Sequence, residues 1–139
     1  MSDDTKTFRL ILVDDHPGVL RQAIELLPER FEVVETLEDG MGLLSALNQF
    51  QPDILVLDIT LPLVSGVELA RNVRAAGFTT KIVFLTVHAD SDYAWEAFDA
   101  GALGYVVKPR LASDLVSALD AAAAGNRFVS PCAELTEFM

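Results

Sequence analysis

The chain has 139 residues, 51% of them apolar and 22% charged, the balance of one globular domain with material for a real core. Ten Lys and Arg against 21 Asp and Glu leave a formal charge of −11, which argues against gripping a nucleic-acid backbone or an anionic membrane surface. Cys132 is the only cysteine, no basic and apolar leader opens the chain, and no apolar run approaches the ~20 residues that span a bilayer, so a cytoplasmic protein without internal disulfides is expected.

In chain order, residues 1–7 are polar and read as a loose tail. Phe8–Val13 is a short apolar, β-branched run, the first strand. A helical stretch follows, with Leu20, Ile24 and Leu27 on one face. The second strand is Val33–Thr36, and Leu43, Leu44 and Leu47 mark the second helix. Pro52 precedes the third strand, Ile54–Leu57, where it costs no ladder bond. Leu69, Ala70 and Val73 mark the third helix, which Gly77 ends. Ile82–Leu85 is the fourth strand, followed by a helix with Ala94, Ala97 and Phe98 on its face. Tyr105–Val107 is the fifth strand, and Leu115, Ala118, Leu119 and Ala122 define the fifth helix, closed by Gly125. This β-α alternation predicts an α/β domain over residues 8–125, a doubly wound five-stranded parallel sheet with helices on both faces. Residues 126–139 read as an extension or the start of a linker, with Ser130-Pro131 either capping a short terminal helix or opening that linker.

Ligands of open parallel sheets bind at the carboxyl ends of strands, near the point where strand order reverses. Asp14 and Asp15 follow the first strand, Asp58 the third, Thr86 the fourth and Lys108-Pro109 the fifth. Four strand ends thus deliver three carboxylates, a hydroxyl and an ammonium to one rim. Clustered carboxylates repel unless a cation joins them, and Mg2+ suits such hard oxygen donors. Asp58 is a plausible nucleophile for an acyl phosphate, with Lys108 and Thr86 serving the phosphoryl oxygens. Each residue also has a plainer reading: Asp-Asp as a turn or cap, Asp58 as a cap, Thr86 as a strand-end hydroxyl, Lys108 as a solvated lysine. Their coincidence at four matching strand ends favours the chemistry.

Four stretches carry a resemblance. Leu12-Val13-Asp14-Asp15-His16-Pro17 resembles the acidic opening of bacterial receiver domains. Residues 57–66, from Leu57-Asp58 to Ser65-Gly66, resemble their phosphoacceptor loop. Leu85-Thr86-Val87-His88 and residues 100–109, ending Val107-Lys108-Pro109, complete the set in order. The chain is identified as similar to response-regulator receivers, most of all the NarL/FixJ type. The resemblance implies a flavodoxin-like strand order, 2-1-3-4-5. It implies that a histidine kinase or phosphotransfer protein phosphorylates Asp58 and that an output, transcriptional in that type, responds. Asp15, Asp58 and the Thr60 carbonyl would ligate Mg2+ directly, and Asp14 through a water. Thr86 and Tyr105 would form the switch pair, Tyr105 moving inward on phosphorylation. The Lys108-Pro109 bond would be cis. By this reading the chain is a signalling phosphoacceptor and not a turnover enzyme.

Some details depart from the pattern. Val87 is bulkier than usual and is expected to narrow access to the phosphoryl group. Thr60 and His88 lie near the expected path of attacking water. His16 reads as a packing or capping residue, not a ligand. Asp90, Asp92, Glu96 and Asp99 make the fourth helix acidic with no base of its own, so pairing of two copies on phosphorylation is expected through the first and fifth helices, the latter rich in alanine at 118 and 121–124. Two rivals remain. A haloacid-dehalogenase-like phosphatase would carry its nucleophile after the first strand. A receiver-like interaction module would not be phosphorylated, and the complete set of acids, Thr86 and Lys108 argues against it.

Overall fold

A computed structural model describes residues 6–89 and 91–131. The elements alternate as β1 (Phe8–Val13), α1 (Pro17–Leu26), β2 (Phe31–Leu37), α2 (Leu43–Phe50), β3 (Ile54–Asp58), α3 (Gly66–Ala75), β4 (Lys81–Thr86), α4 (Ser91–Asp99), β5 (Gly104–Val107), a 3-10 turn (Lys108–Arg110), α5 (Leu111–Ala123) and β6 (Phe128–Val129). All strand pairs are parallel, in the order β2-β1-β3-β4-β5-β6. The expected order 2-1-3-4-5 is present. The expected five strands are six among the described residues, because Phe128–Val129 pairs with Gly104–Tyr105.

Successive strand residues point to opposite faces, which divides the core in two. Ile11, Val13, Leu55, Leu57 and Phe84 face one side, where Leu43, Leu47, Leu69, Val73, Ala94 and Ala97 cover them. Leu10, Leu12, Ile54, Val56, Val83 and Leu85 face the other, covered by Leu20, Ala23, Leu115, Ala118, Leu119 and Ala122. Helices α2, α3 and α4 thus lie on one face, and α1 and α5 on the other. All five β3 residues are buried, so its near-continuous apolar run follows from burial on both sides.

Two helix faces differ from expectation. Ile24 is 44% exposed and Leu44 43%, while Ala23 and Ala46 are buried in their stead. The contact arc of each helix is centred on the small residue, which lets the backbone approach the sheet. The sixth strand also revises the reading of Ser130-Pro131. Ser130 neither caps a helix nor opens a solvated linker. Its hydroxyl is buried, accepts from the Val107 N–H at 3.1 Å and donates to Asp114 at 2.7 Å. Of the expected tail, residues 1–5 lie outside the described residues, as do Asp90 and Cys132.

Candidate phosphoacceptor site

Strand register builds the site. Val13 lies opposite Leu57, so the next residue of each strand, Asp14 and Asp58, emerges at the same level. Asp58 is opposite Leu85, and Thr86 opposite Val107, which places Lys108 one step beyond. The β1/β3 border is where strand order reverses, and the carboxylates stand there.

Asp14 and Asp58 are each 1% exposed, burial that only partners can offset. The Lys108 ammonium supplies one, 2.8 Å from Asp14 Oδ2 and 3.1 Å from Asp58 Oδ2. Asp58 Oδ1 accepts from the Thr60 backbone N–H at 3.1 Å. Burial, and next the charge of Asp14, raise the Asp58 pKa; Lys108 and the Thr60 amide oppose them without cancelling them. Burial works against the Lys108 ammonium, but Asp14 and Asp58 together outweigh it and raise its pKa.

The loop after Asp58 is shaped by two backbone features. Gly66 N–H donates to the Ile59 carbonyl at 2.7 Å, and a Cβ on Gly66 would collide with the Asp58 carbonyl oxygen. Only glycine lets the start of α3 approach the strand end so closely. Leu63 holds a left-handed φ of 75°, inside a tight turn closed by the Val64 N–H on the Pro62 carbonyl.

Thr86 is fully buried, and its hydroxyl accepts from the His88 N–H at 3.0 Å. Tyr105 is fully buried too, and its hydroxyl donates to the His88 carbonyl at 2.7 Å. The two residues therefore hold the same peptide segment from opposite ends. Tyr105 already stands inside. The His88 ring stacks on Tyr93 with centroids 4.1 Å apart, and its Nε2 lies 3.1 Å from the Thr60 hydroxyl. Val87 is 63% exposed.

One expectation needs correction. The bond between Lys108 and Pro109 is trans, as are all described peptide bonds. Lys108–Arg110 forms a 3-10 turn that leads directly into α5, and a trans proline fits the first residues of such a turn. Lys108 reaches both carboxylates without a reversal of the chain. His16 is the N-cap residue of α1, as the capping reading had it, its carbonyl accepting from the Val19 and Leu20 N–H groups, while its ring is 64% exposed and makes no capping hydrogen bond. Its Nδ1 instead lies 3.1 Å from Asp14 Oδ1 and 3.0 Å from Asp15 Oδ1. Asp14, Asp15, His16 and Asp58 each bring a ligand atom into a cluster within 4.8 Å. Position alone could have flagged His16, which continues the acidic pair.

The donor set fits a hard divalent cation. Asp14 Oδ2 and Asp15 Oδ1 are buried and have no well-aligned hydrogen-bond donor, although Lys108 and His16 stand near them. Paired carboxylate oxygens left in this state are what a metal ion satisfies.

The family model described as "Response regulator receiver domain" matches residues 10–120. The chain belongs to the response-regulator receiver family. It is 32% identical over 127 residues to the transcriptional regulatory protein DegU of Brevibacillus brevis, covering 88% of this chain and 53% of that protein. It is 34% identical over 126 residues to the nitrate/nitrite response regulator NarP of Escherichia coli, covering 88% and 58%. A LuxR-family two-component response regulator from Aurantimonas sp. superposes with a TM-score of 0.86 at 38% identity, over 96% of this chain and 98% of that one. The chain spans little more than half the length of these two curated relatives. A receiver domain of this family is a signalling unit of two-component systems, and these relatives are response regulators. Among the described residues no helix is long and apolar enough to cross a membrane.

Proposed function

We propose that this receiver takes a phosphoryl group onto the Asp58 carboxylate from a phosphohistidine of a histidine kinase or phosphotransfer protein, in a Mg2+-dependent reaction. The observation that carries this reading is the Lys108 ammonium held between two buried carboxylates, 2.8 Å and 3.1 Å away. A lysine so placed can follow charge from the carboxylates to an incoming phosphoryl oxygen. Asp58 supplies the attacking oxygen; the phosphorus–nitrogen bond of the donor breaks as the phosphorus–oxygen bond forms. Asp15, Asp58 and the Thr60 carbonyl would hold the metal, Asp14 acting through a water, and Mg2+ supplies charge neutralisation at the phosphoryl oxygens. Thr60 N–H keeps the other Asp58 oxygen oriented.

Thr86 would then exchange the His88 N–H for a phosphoryl oxygen. That frees one end of a segment whose other end Tyr105 grips through the His88 carbonyl. Because Tyr105 is already inward, the switch reduces to moving the segment that joins β4 to α4, with Tyr105 as its anchor. The output in the natural protein would be transcriptional, as the relatives' names indicate, and two copies would pair on phosphorylation. The acidity of α4 does not forbid its use in pairing: Arg71 lies 3.3 Å from Asp99, and the Arg127 guanidinium lies over the Phe98 ring. On the fifth helix Ala118 and Ala122 face the chain's own core, while Ser113 and Ser117 are exposed and Ala121 partly so, small residues that a second copy could approach.

Intact-mass measurement after exposure to a small phosphodonor tests the reading. Wild type with Mg2+ should gain one phosphoryl mass, and should gain none with chelator. Asp58→Asn should gain none at all. A labelled Asp58→Asn protein, or wild type labelled equally without divalent metal, would refute it. Absence of labelling by any donor or kinase would favour the interaction module.

A further inference from the structure

We infer that Ser130 and Asp114 are positioning residues for Lys108: they clamp the turn that carries it and couple the seating of β6 to the phosphoacceptor site. The inference rests on the role proposed for Lys108 above and deepens it, naming what holds that lysine and what its movement reaches.

Lys108 is a charge on a flexible four-carbon stem, so where its ammonium reaches depends on where its backbone is held. Both sides of that backbone are tied to one buried carboxylate. On the near side, the Val107 N–H donates to the Ser130 hydroxyl at 3.1 Å, and that hydroxyl donates to Asp114 Oδ2 at 2.7 Å. On the far side, the Arg110 guanidinium grips Asp114 with two nitrogens, at 2.8 Å and 3.2 Å. The Ser113 hydroxyl stands 3.2 Å from the Arg110 carbonyl oxygen and 3.1 Å from Asp114 Oδ1. Between these ties lie only Lys108 and Pro109, and the proline ring fixes its own φ. The turn therefore has little freedom. From it the lysine side chain, 12% exposed, runs to Asp14 and Asp58.

Holding β6 on the sheet does not by itself call for this arrangement. The strand already has backbone bonds, Phe128 N–H to the Leu103 carbonyl and Ser130 N–H to the Tyr105 carbonyl, each at 2.9 Å, and Arg127 lies over the Phe98 ring of α4. Asp114 and Ser130 are both buried. A buried ion pair adds little stability over apolar side chains of similar volume. What a fully bonded buried network gives is one fixed geometry, because a half-made one is costly. A shift of residues 107–110 therefore reaches Ser130, and a loosening of Ser130 reaches Lys108. Strand β6 is suited to respond, being two residues long with Phe128 and Val129 only partly buried. Val129 also stands opposite Tyr105, the anchor of the proposed switch. In the proposed reaction Lys108 follows charge from its carboxylates to a phosphoryl oxygen and pulls on the clamp. By linkage, the seating of β6 and the phosphorylated state then favour or disfavour each other by one common factor.

Amide hydrogen exchange of the full chain in chelator tests the clamp without any donor. Asp58→Asn takes a charged partner from the Lys108 ammonium. It should change exchange at residues 128 and 130 by at least about fivefold relative to the amides of β1. With Ser130→Ala also present, the same substitution should shift those two positions by less than about twofold. Asp114→Asn, which keeps the side chain's shape and removes its charge, should cancel the response in the same way, and replaces Ser130→Ala if that variant does not fold. Labelling by a small phosphodonor with Mg2+ gives the second readout. Ser130→Ala should slow it by about tenfold or more, through misplacement of Lys108. Thr80→Val removes a buried hydroxyl bond to the Pro52 carbonyl at the opposite end of the sheet, and should leave labelling unchanged despite its own cost to stability. A β6 response to Asp58→Asn that is absent, or the same with and without the Ser130 hydroxyl, would overturn the inference. So would labelling slowed no more by Ser130→Ala than by Thr80→Val. A wild type that takes no phosphoryl group would refute the phosphorylation reading and leave the exchange cycle to decide the clamp.

Discussion

The burial of the Asp58 carboxylate costs stability. Its carboxyl is buried beside Asp14, and its pKa is raised by that burial first and by that charge second. A raised carboxyl pKa means the folded chain holds a proton that the unfolded chain has released. From the ordinary carboxylate pKa, near 3.9, up to the raised folded value, the Asp58 contribution to stability should therefore fall as pH rises, and its full cost persists above that value. Asp58→Asn removes the charge and leaves Lys108 its partner Asp14. In chelator, the variant should be more stable than wild type near neutral pH, by on the order of 1–3 kcal/mol, and the two should converge below about pH 3.9. Urea unfolding of both proteins across that range is the measurement. A difference that does not change with pH would show that Asp58 ionisation is not what strains the fold. Residue identity made this acid legible in the sequence, because a carboxylate after a buried strand must be balanced by something. The side-chain direction of His16 was not legible, since it depends on the Asp14 oxygen that takes its backbone N–H.

The strands and helices show where a linear reading succeeds and where it stops. Strand β1 was legible to the residue, and β3 differed only at its last residue, because both are apolar runs buried on two faces. Ile24 and Leu44 misled, since a helix beside a sheet turns inward its smallest side chains as well as its largest. The trans Pro109 bond was out of reach, because the two isomers differ by only about 0.5–1 kcal/mol before the surrounding turn decides. Strand β6 was missed for another reason: two residues carry no period, and what holds them is a backbone ladder to β5, fastened at its end by the bond of Ser130 to Asp114 sixteen residues away. Asp114, buried and also bonded to Arg110 and Ser113, anchors that bond. Although burial alone would raise its pKa, the hydrogen bonds from Arg110, Ser130 and Ser113 lower it overall. A depressed carboxylate contributes stability above its unfolded pKa and loses it as pH falls through the folded value. Ser130→Ala leaves both the Val107 N–H and an Asp114 oxygen short of a partner, and should cost about 1.5–3 kcal/mol near neutral pH. The deficit should shrink as acid protonates Asp114. Thermal unfolding at pH 7 and pH 3 reads both effects, and a loss equal at the two would mean the hydroxyl matters only to the backbone.

At the scale of the molecule, the site sits where two half-sheets meet, so a ligand that satisfies its acids should stabilise the whole domain. A divalent metal held by these acids would bind the folded arrangement and not the dispersed chain. At Mg2+ concentrations a hundredfold above the dissociation constant, the gain should be about 2.7 kcal/mol, visible as a rise in Tm. The rise should vanish in Asp58→Asn, and one retained there would place the metal outside the site. The formal charge of −11 adds a general attraction for cations, which monovalent salt screens; the site-specific part should survive 150 mM salt. The outer margins of the sheet have their own consequence. On one side, β2 carries Glu32 and Glu35. On the other, β6 ends after two residues, the Val107 N–H beyond it is taken by a hydroxyl, and Pro131 has no N–H to offer. Among the described residues neither margin gives a neighbouring molecule a long, uncharged ladder to extend. Contacts between copies would thereby be diverted from backbone zippering to helix surfaces, whose side chains a phosphoryl group at the rim would rearrange under the proposed function.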